Sequence, residues 1–232
     1  AMGLWLIRKG QFAKAEPYLR QAVKTLTERN PNPYDGEPLY NLGLSLKYQG
    51  KTEEAYDFFY KACWNAAWQD AGYYSLAQLS VARGDWEEAL YEIDKSLVRN
   101  WHNLRGRHLK ATILRHLGRK EDALSLIEES LRMDRFNFGC GFEKFLLTGN
   151  DADWQTLVSL MRPEAHNYEE LALDYASAGC WEEALDVVDK VICMNVLGQT
   201  MLHYYKSWFL ICLDRKEEAL AAIREAERQT PD

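Results

Sequence analysis

Gly50-Lys51-Thr52-Glu53-Glu54-Ala55 is followed 34 residues later by Gly84-Asp85-Trp86-Glu87-Glu88-Ala89, and after another 34 by Gly118-Arg119-Lys120-Glu121-Asp122-Ala123. The signal returns as Gly179-Cys180-Trp181-Glu182-Glu183-Ala184 and as Asp214-Arg215-Lys216-Glu217-Glu218-Ala219. It is looser at Gly10-Gln11-Phe12-Ala13-Lys14-Ala15 and degenerate from Gly149 to Trp154. A glycine that takes the left-handed conformation ends one helix, and acidic residues just after it favour the positive N-terminus of the next. The alanine five residues past the glycine is a packing site. Gly43, Ala77, Ala111 and Ala172, each seven residues before a turn glycine, meet it from the other helix.

Apolar residues around these anchors keep helical spacing, with Leu39, Leu42 and Leu46 before Gly50 and Ala55, Phe58, Phe59 and Ala62 after it. Each unit is therefore two amphipathic helices, and neither buries its stripe alone. Neighbouring units must stack into a shared core. The expectation is a single domain over 1–232, with regular repeats over 37–135, an irregular unit over 136–163 and further repeats over 164–232. The irregular unit follows from steps that shorten between Gly118, Gly149 and Gly179, and from Trp154 standing where alanine is expected. A long step from Gly10 to Gly50 places a projecting loop over the Pro- and Asn-rich run Asn30–Pro38. Only a short helix fits before Gly10, so the first unit reads as truncated. Ala1 and Met2 read as a remnant left when upstream sequence was removed, and Pro231 as the end of a natural cap.

The totals restrict the function classes. A formal net charge of -7 and a pI near 5.4 argue against a duplex nucleic-acid binder, which needs clustered Lys and Arg. No apolar run approaches the roughly 18 to 20 residues of a membrane helix, and no leader pattern opens the chain, so a soluble, cytoplasmic protein is expected. Cys63, Cys140, Cys180, Cys193 and Cys212 are widely spaced with no C-x-x-C pair, which predicts buried, reduced thiols.

The repeated Gly–acid–acid–Ala signal and the small residue ahead of it resemble the tetratricopeptide repeat family over nearly the whole chain. The resemblance implies an all-α fold, a right-handed α-α superhelical solenoid of about seven helical hairpins, and a scaffold that binds proteins or peptides. A second likeness rests on Asn30-Pro31-Asn32-Pro33-Tyr34-Asp35-Gly36-Glu37, Tyr40-Asn41-Leu42-Gly43-Leu44 and Trp64-Asn65-Ala66-Ala67-Trp68-Gln69-Asp70. These are similar to the repeat region of large bacterial proteins whose upstream part resembles carbohydrate-processing β-rich domains. That implies an alternative role, a structural module that positions such a domain in cis.

No catalytic motif is present: no G-x-S-x-G, H-E-x-x-H, P-loop or dinucleotide fingerprint. No enzyme activity, cofactor or metal is expected. His102, His108 and His116 are spaced by six and eight, which does not stack imidazoles on one helical face. Trp86 and Trp181 hold the same place in their units and should pack. Trp64 and Trp68, four apart, should pair along one helix.

In the tetratricopeptide family the first helix of each unit lines a groove that receives extended peptides. The resemblance then places Tyr40, Asn41, Leu44, Lys47 and Tyr48 on that face in one unit, Tyr74, Ser75 and Gln78 in the next, and Arg105, His108, Thr112 and Arg115 in the third. Aromatic and arginine side chains are the usual hot-spot types, and Asn41 can hydrogen-bond a peptide backbone. Some family members clamp a C-terminal carboxylate across three units. Asn41 and Arg105 match two such places, but Ser75 and Leu109 stand where Asn and a basic residue are wanted, so a complete clamp is not expected.

Overall fold

A computed structural model describes residues 1–30, 33–196 and 198–229. The tip of the expected loop at Pro31 and Asn32, and the expected cap residue Pro231, lie outside the described residues. The chain falls into two compact units, Ala1–Gly106 and Arg107–Asp232, divided within a helix.

The first unit holds α1 (Met2–Arg8), α2 (Phe12–Thr27), α3 (Glu37–Lys47), α4 (Thr52–Ala62), α5 (Gln69–Arg83) and α6 (Trp86–Arg99). A short 3-10 turn at Ala66–Trp68 leads into α5. Each helix packs on the next in sequence. The second unit holds α7 (Leu104–His116) from Arg107 onward, then α8 (Lys120–Met133), α9 (Phe138–Thr148), α10 (Asp151–Met161), α11 (Ala165–Ser177), α12 (Trp181–Cys193), α13 (Thr200–Cys212) and α14 (Lys216–Gln229). There the first helices also touch one another, α9 on α11 and α11 on α13.

Every hairpin turns at a residue with positive φ: Gly10, Gly50, Gly84, Gly118, Gly149, Gly179 and, without a glycine, Asp214 at 58°. At Gly50 the bonds are Gly50 N–H to Lys47 O at 3.0 Å and Lys51 N–H to Leu46 O at 3.0 Å, the double bond that closes a helix C-terminus. Asp214 and Arg215 repeat it onto Ile211 and Leu210. The turn at Gly149 differs, since its N–H reaches Phe145 O four residues back and Asn150 caps the next helix through Ala152 N–H. The helices on either side, α9 and α10, have 11 residues each, and Trp154 fills the alanine place by packing against Phe142 and Phe145.

Behind each turn the small residues are sealed. Ala15, Ala55, Ala89, Ala123 and Ala184 have no exposed surface, and Ala219 has almost none. A methyl group on Gly43 would stand 2.7 Å from two carbons of the fully buried Phe59 ring. The missing side chain is what lets α3 and α4 meet.

Two expectations are corrected. α4 ends at Ala62, so Trp64 and Trp68 do not share a helix. Trp64 meets Tyr60 edge-on at 6.3 Å, while Trp68 packs on Tyr40 at 4.9 Å. Cys63, Cys140 and Cys180 are buried, but Cys193 and Cys212 close their helices on the exposed side. Trp181 packs against Trp208 at 5.7 Å and Phe209 at 6.2 Å. Among the described residues no helix is long and apolar enough to cross a membrane.

Gly43→Ala is expected to lose about 1–3 kcal/mol, because the buried Phe59 ring has no room to yield. Urea denaturation followed by circular dichroism measures it.

Candidate binding faces on the first helices

Counting back from each turn residue gives the face that a first helix turns away from its partner. In α3 the tenth, ninth, sixth, third and second positions before Gly50 are Tyr40, Asn41, Leu44, Lys47 and Tyr48. In α5 the same count back from Gly84 gives Tyr74, Ser75, Gln78, Val81 and Ala82.

These side chains are held by local packing. Tyr40 is half-buried between Trp68 and Phe59, and Ser75 Oγ donates to its hydroxyl at 3.4 Å. Tyr48 stacks on Phe12 with centroids 4.6 Å apart, yet keeps 59% of its surface exposed. Leu44 leans on the core cluster built around Leu42, Leu46, Phe59 and Leu76. Asn41 bonds back along its own helix, its Nδ2 donating to Glu37 O at 2.8 Å. It borders a cavity of about 230 Å³ between α1, α2 and the start of α3. A larger concavity of about 850 Å³ runs along the C-terminal half of α2 from Tyr18, past its end to Arg29, and reaches Pro38. Tyr74 is half-buried, Gln78 is buried and Arg105 is exposed.

Lys47 is the cation of this face. Its Nζ donates to Gln78 Oε1 at 2.6 Å, and among the described residues no carboxylate pairs with it. Burial brings its pKa down to about 8.

The second unit uses the corresponding positions differently. His108 is buried and meets Tyr175 edge-on at 4.6 Å, directly beneath Gly139, where a Cβ would collide with the imidazole. Thr112 and Arg115 converge on the fully buried Glu143 of α9. That carboxylate accepts from Thr112 Oγ1 at 2.9 Å, Arg115 Nε at 2.7 Å and Tyr175 OH at 2.7 Å. Arg115 also reaches Glu183 at 2.8 Å, as does His116 at 2.6 Å. Burial opposes the Arg115 charge, but its bonds to Glu143 and Glu183 outweigh that and raise its pKa. Burial likewise works against the Glu183 charge, and the bonds from His116 and Arg115 bring it down to about 2.

An exposed apolar face in this unit escaped the sequence reading. The tenth, sixth and third positions before Asp214 are Tyr204, Trp208 and Ile211, which with Met201 form an open stripe along α13. The signal was available, because the count needs only Asp214 in the glycine role.

Two measurements probe these arrangements. Lys47 binds its proton less tightly folded than unfolded, so the burial penalty is full below pH about 8 and fades as pH rises toward the ordinary lysine value. Lys47→Met is therefore expected to stabilise the protein at pH 7 by about 1–2 kcal/mol and by less at pH 10. Paired urea titrations at the two pH values check the sign. Glu143→Ala leaves the Tyr175 hydroxyl buried without its acceptor and Arg115 with Glu183 as its remaining carboxylate, and is expected to cost about 3–5 kcal/mol. The double variant Glu143→Ala/Arg115→Met should recover part of that loss in the same assay.

The comparisons bear on the fold. Residues 36–63, which hold α3 and α4, match the tetratricopeptide repeat family model. A tetratricopeptide repeat protein from Parabacteroides merdae is 21% identical over all of this chain and 91% of its own length, with a TM-score of 0.62. The APC/C hetero-tetramer Cut9-Hcn1 is 15% identical over 96% of this chain and 46% of that one, with a TM-score of 0.51. The chain carries a tetratricopeptide repeat, and its all-helical fold is that of tetratricopeptide-repeat solenoids.

Proposed function

We propose that the chain is a protein-binding scaffold that receives a peptide segment on the first-helix faces of α3 and α5. The observation that carries this reading is the exposed Tyr48, fixed by its stack on Phe12 beside the half-buried Tyr40 and Tyr74. An aromatic ring that is already immobilised loses little entropy on binding, and rings of this kind dominate interface energies. Leu44 offers apolar surface between them, while Lys47, Gln78 and the exposed Arg105 supply polar contacts. His108 and Arg115 are spent inside the second unit, so their part in this reading is to stiffen α7.

The purified chain, exposed to an array of random 12-residue peptides, is expected to select a subset. Tyr48→Ala should weaken the selected peptides at least tenfold, or about 1.4 kcal/mol. An array that yields no binder, or binders indifferent to Tyr48→Ala and Tyr74→Ala, overturns the proposal. Occupation in cis by an adjacent carbohydrate-active domain would then be the better reading.

A further inference from the structure

Met201, Tyr204, Trp208 and Ile211 stand along one side of α13, exposed by 50%, 38%, 42% and 54%. Among the described residues no other helix exposes more than two large hydrophobic or aromatic side chains. The open side of α13 also lacks charge. Lys206 is the one Lys, Arg, Asp or Glu among the helix's 13 residues, and its ammonium is bonded to Asp189 of α12 at 2.6 Å. Thr200, Tyr205 and Cys212, which border the stripe on the helical wheel, are uncharged as well.

The spacing indicates what would cover such a stripe. Steps of three, four and three residues are successive a and d positions of a heptad, the seam that receives another helix by knobs into holes. Trp208 is already held against Trp181 at 5.7 Å and Phe209 at 5.2 Å, so it loses little freedom on docking. A helical partner must bring a matching uncharged seam, and α13 of a second copy brings one. Charge favours that choice at this face and nowhere obvious else. The chain carries a formal net charge of -7, so two copies repel in most approaches. Contact through the α13 stripe sets no charged side chain of one seam against its like.

Antiparallel pairing closes the contact about a two-fold axis, with one patch serving both copies. Met201 then lies opposite Ile211 of the partner subunit, and Tyr204 opposite Trp208 of the partner subunit. The two helix dipoles run in opposite directions, which is the favourable arrangement. We infer that α13 is a self-association surface, through which two copies of this chain pair antiparallel along the stripe from Met201 to Ile211. Two a/d steps make a small contact, so the dimer belongs to the weak class, with a dissociation constant of about 10–100 µM.

Sedimentation equilibrium of the whole chain, from well below to well above that concentration, tests the inference. The mass is expected to rise from the 26.9 kDa of one chain to twice that value. Ile211→Glu and Met201→Glu change solvent-exposed side chains and should each weaken the dimer about tenfold or more, with circular dichroism confirming that both are folded. Leu220→Glu, exposed by 55% on α14 and off the stripe, should leave it unchanged. Ile211→Glu mixed with Met201→Lys should form a dimer that neither variant forms alone, because the two charges then face each other. A chain that stays monomeric throughout overturns the inference and leaves the stripe to a partner of different sequence. A dimer indifferent to Ile211→Glu and Met201→Glu, one that Leu220→Glu weakens as much, or a mixture that stays monomeric overturns it too.

Discussion

Close approach of two helices at a glycine or alanine, enforced by a left-handed residue about two turns away, is the constraint from which the rest of the fold follows. Gly43 against Phe59 shows the tolerance, since a single methyl would overlap the ring. Once the helices meet at that distance, the turn fixes where the second begins, and the register of every other side chain is set. Counting back from Gly50, Gly84, Gly118 or Asp214 therefore gives equivalent positions in different hairpins. The pairs Lys47–Gln78 and Arg115–Glu143 illustrate this, because two unrelated chemistries occupy one geometry.

The first-helix face is thus a set of fixed positions that hold different residue types in different hairpins. In α7 and α9 these positions are used for internal cohesion, with Glu143 collecting three donors in the interior. In α3 and α5 they carry aromatic rings and Lys47, whose ammonium donates to the neutral Gln78. In α13 they are apolar and open, with Trp208 and Ile211 exposed by 42% and 54%. Open face and structural glue differ here by the residue placed at a given count, not by backbone shape.

That division also explains what could be read from the sequence. Turn residues, small contact residues and helix pairs were legible because each is a local requirement with few acceptable residue types. Even Asp214 fitted, since an aspartate tolerates the left-handed conformation better than most residues. The fate of polar side chains on the face was not legible. Arg115 looks like Lys47 in sequence, and only Glu143 on the next first helix shows that one is neutralised and the other is not. His108 looked available and is sealed under Gly139, a residue whose missing side chain makes room for the ring. Trp64 and Trp68 failed for a different reason, because nothing in their spacing reports that α4 stops at Ala62.

The reach along the chain of the bonds that join hairpins sets how each unit assembles. Lys47–Gln78, Tyr56–Glu92 and Thr112–Glu143 link residues 31, 36 and 31 apart. Closing loops of that length carries a small entropic penalty, so adjacent hairpins can dock as soon as both exist, in any order. Glu183 departs from this pattern, since it takes hydrogen bonds from Arg115 and His116, 68 and 67 residues earlier. That bond ties α7 to α12 across the four helices between them, so α7 and α12 are held to each other directly as well as through their neighbours.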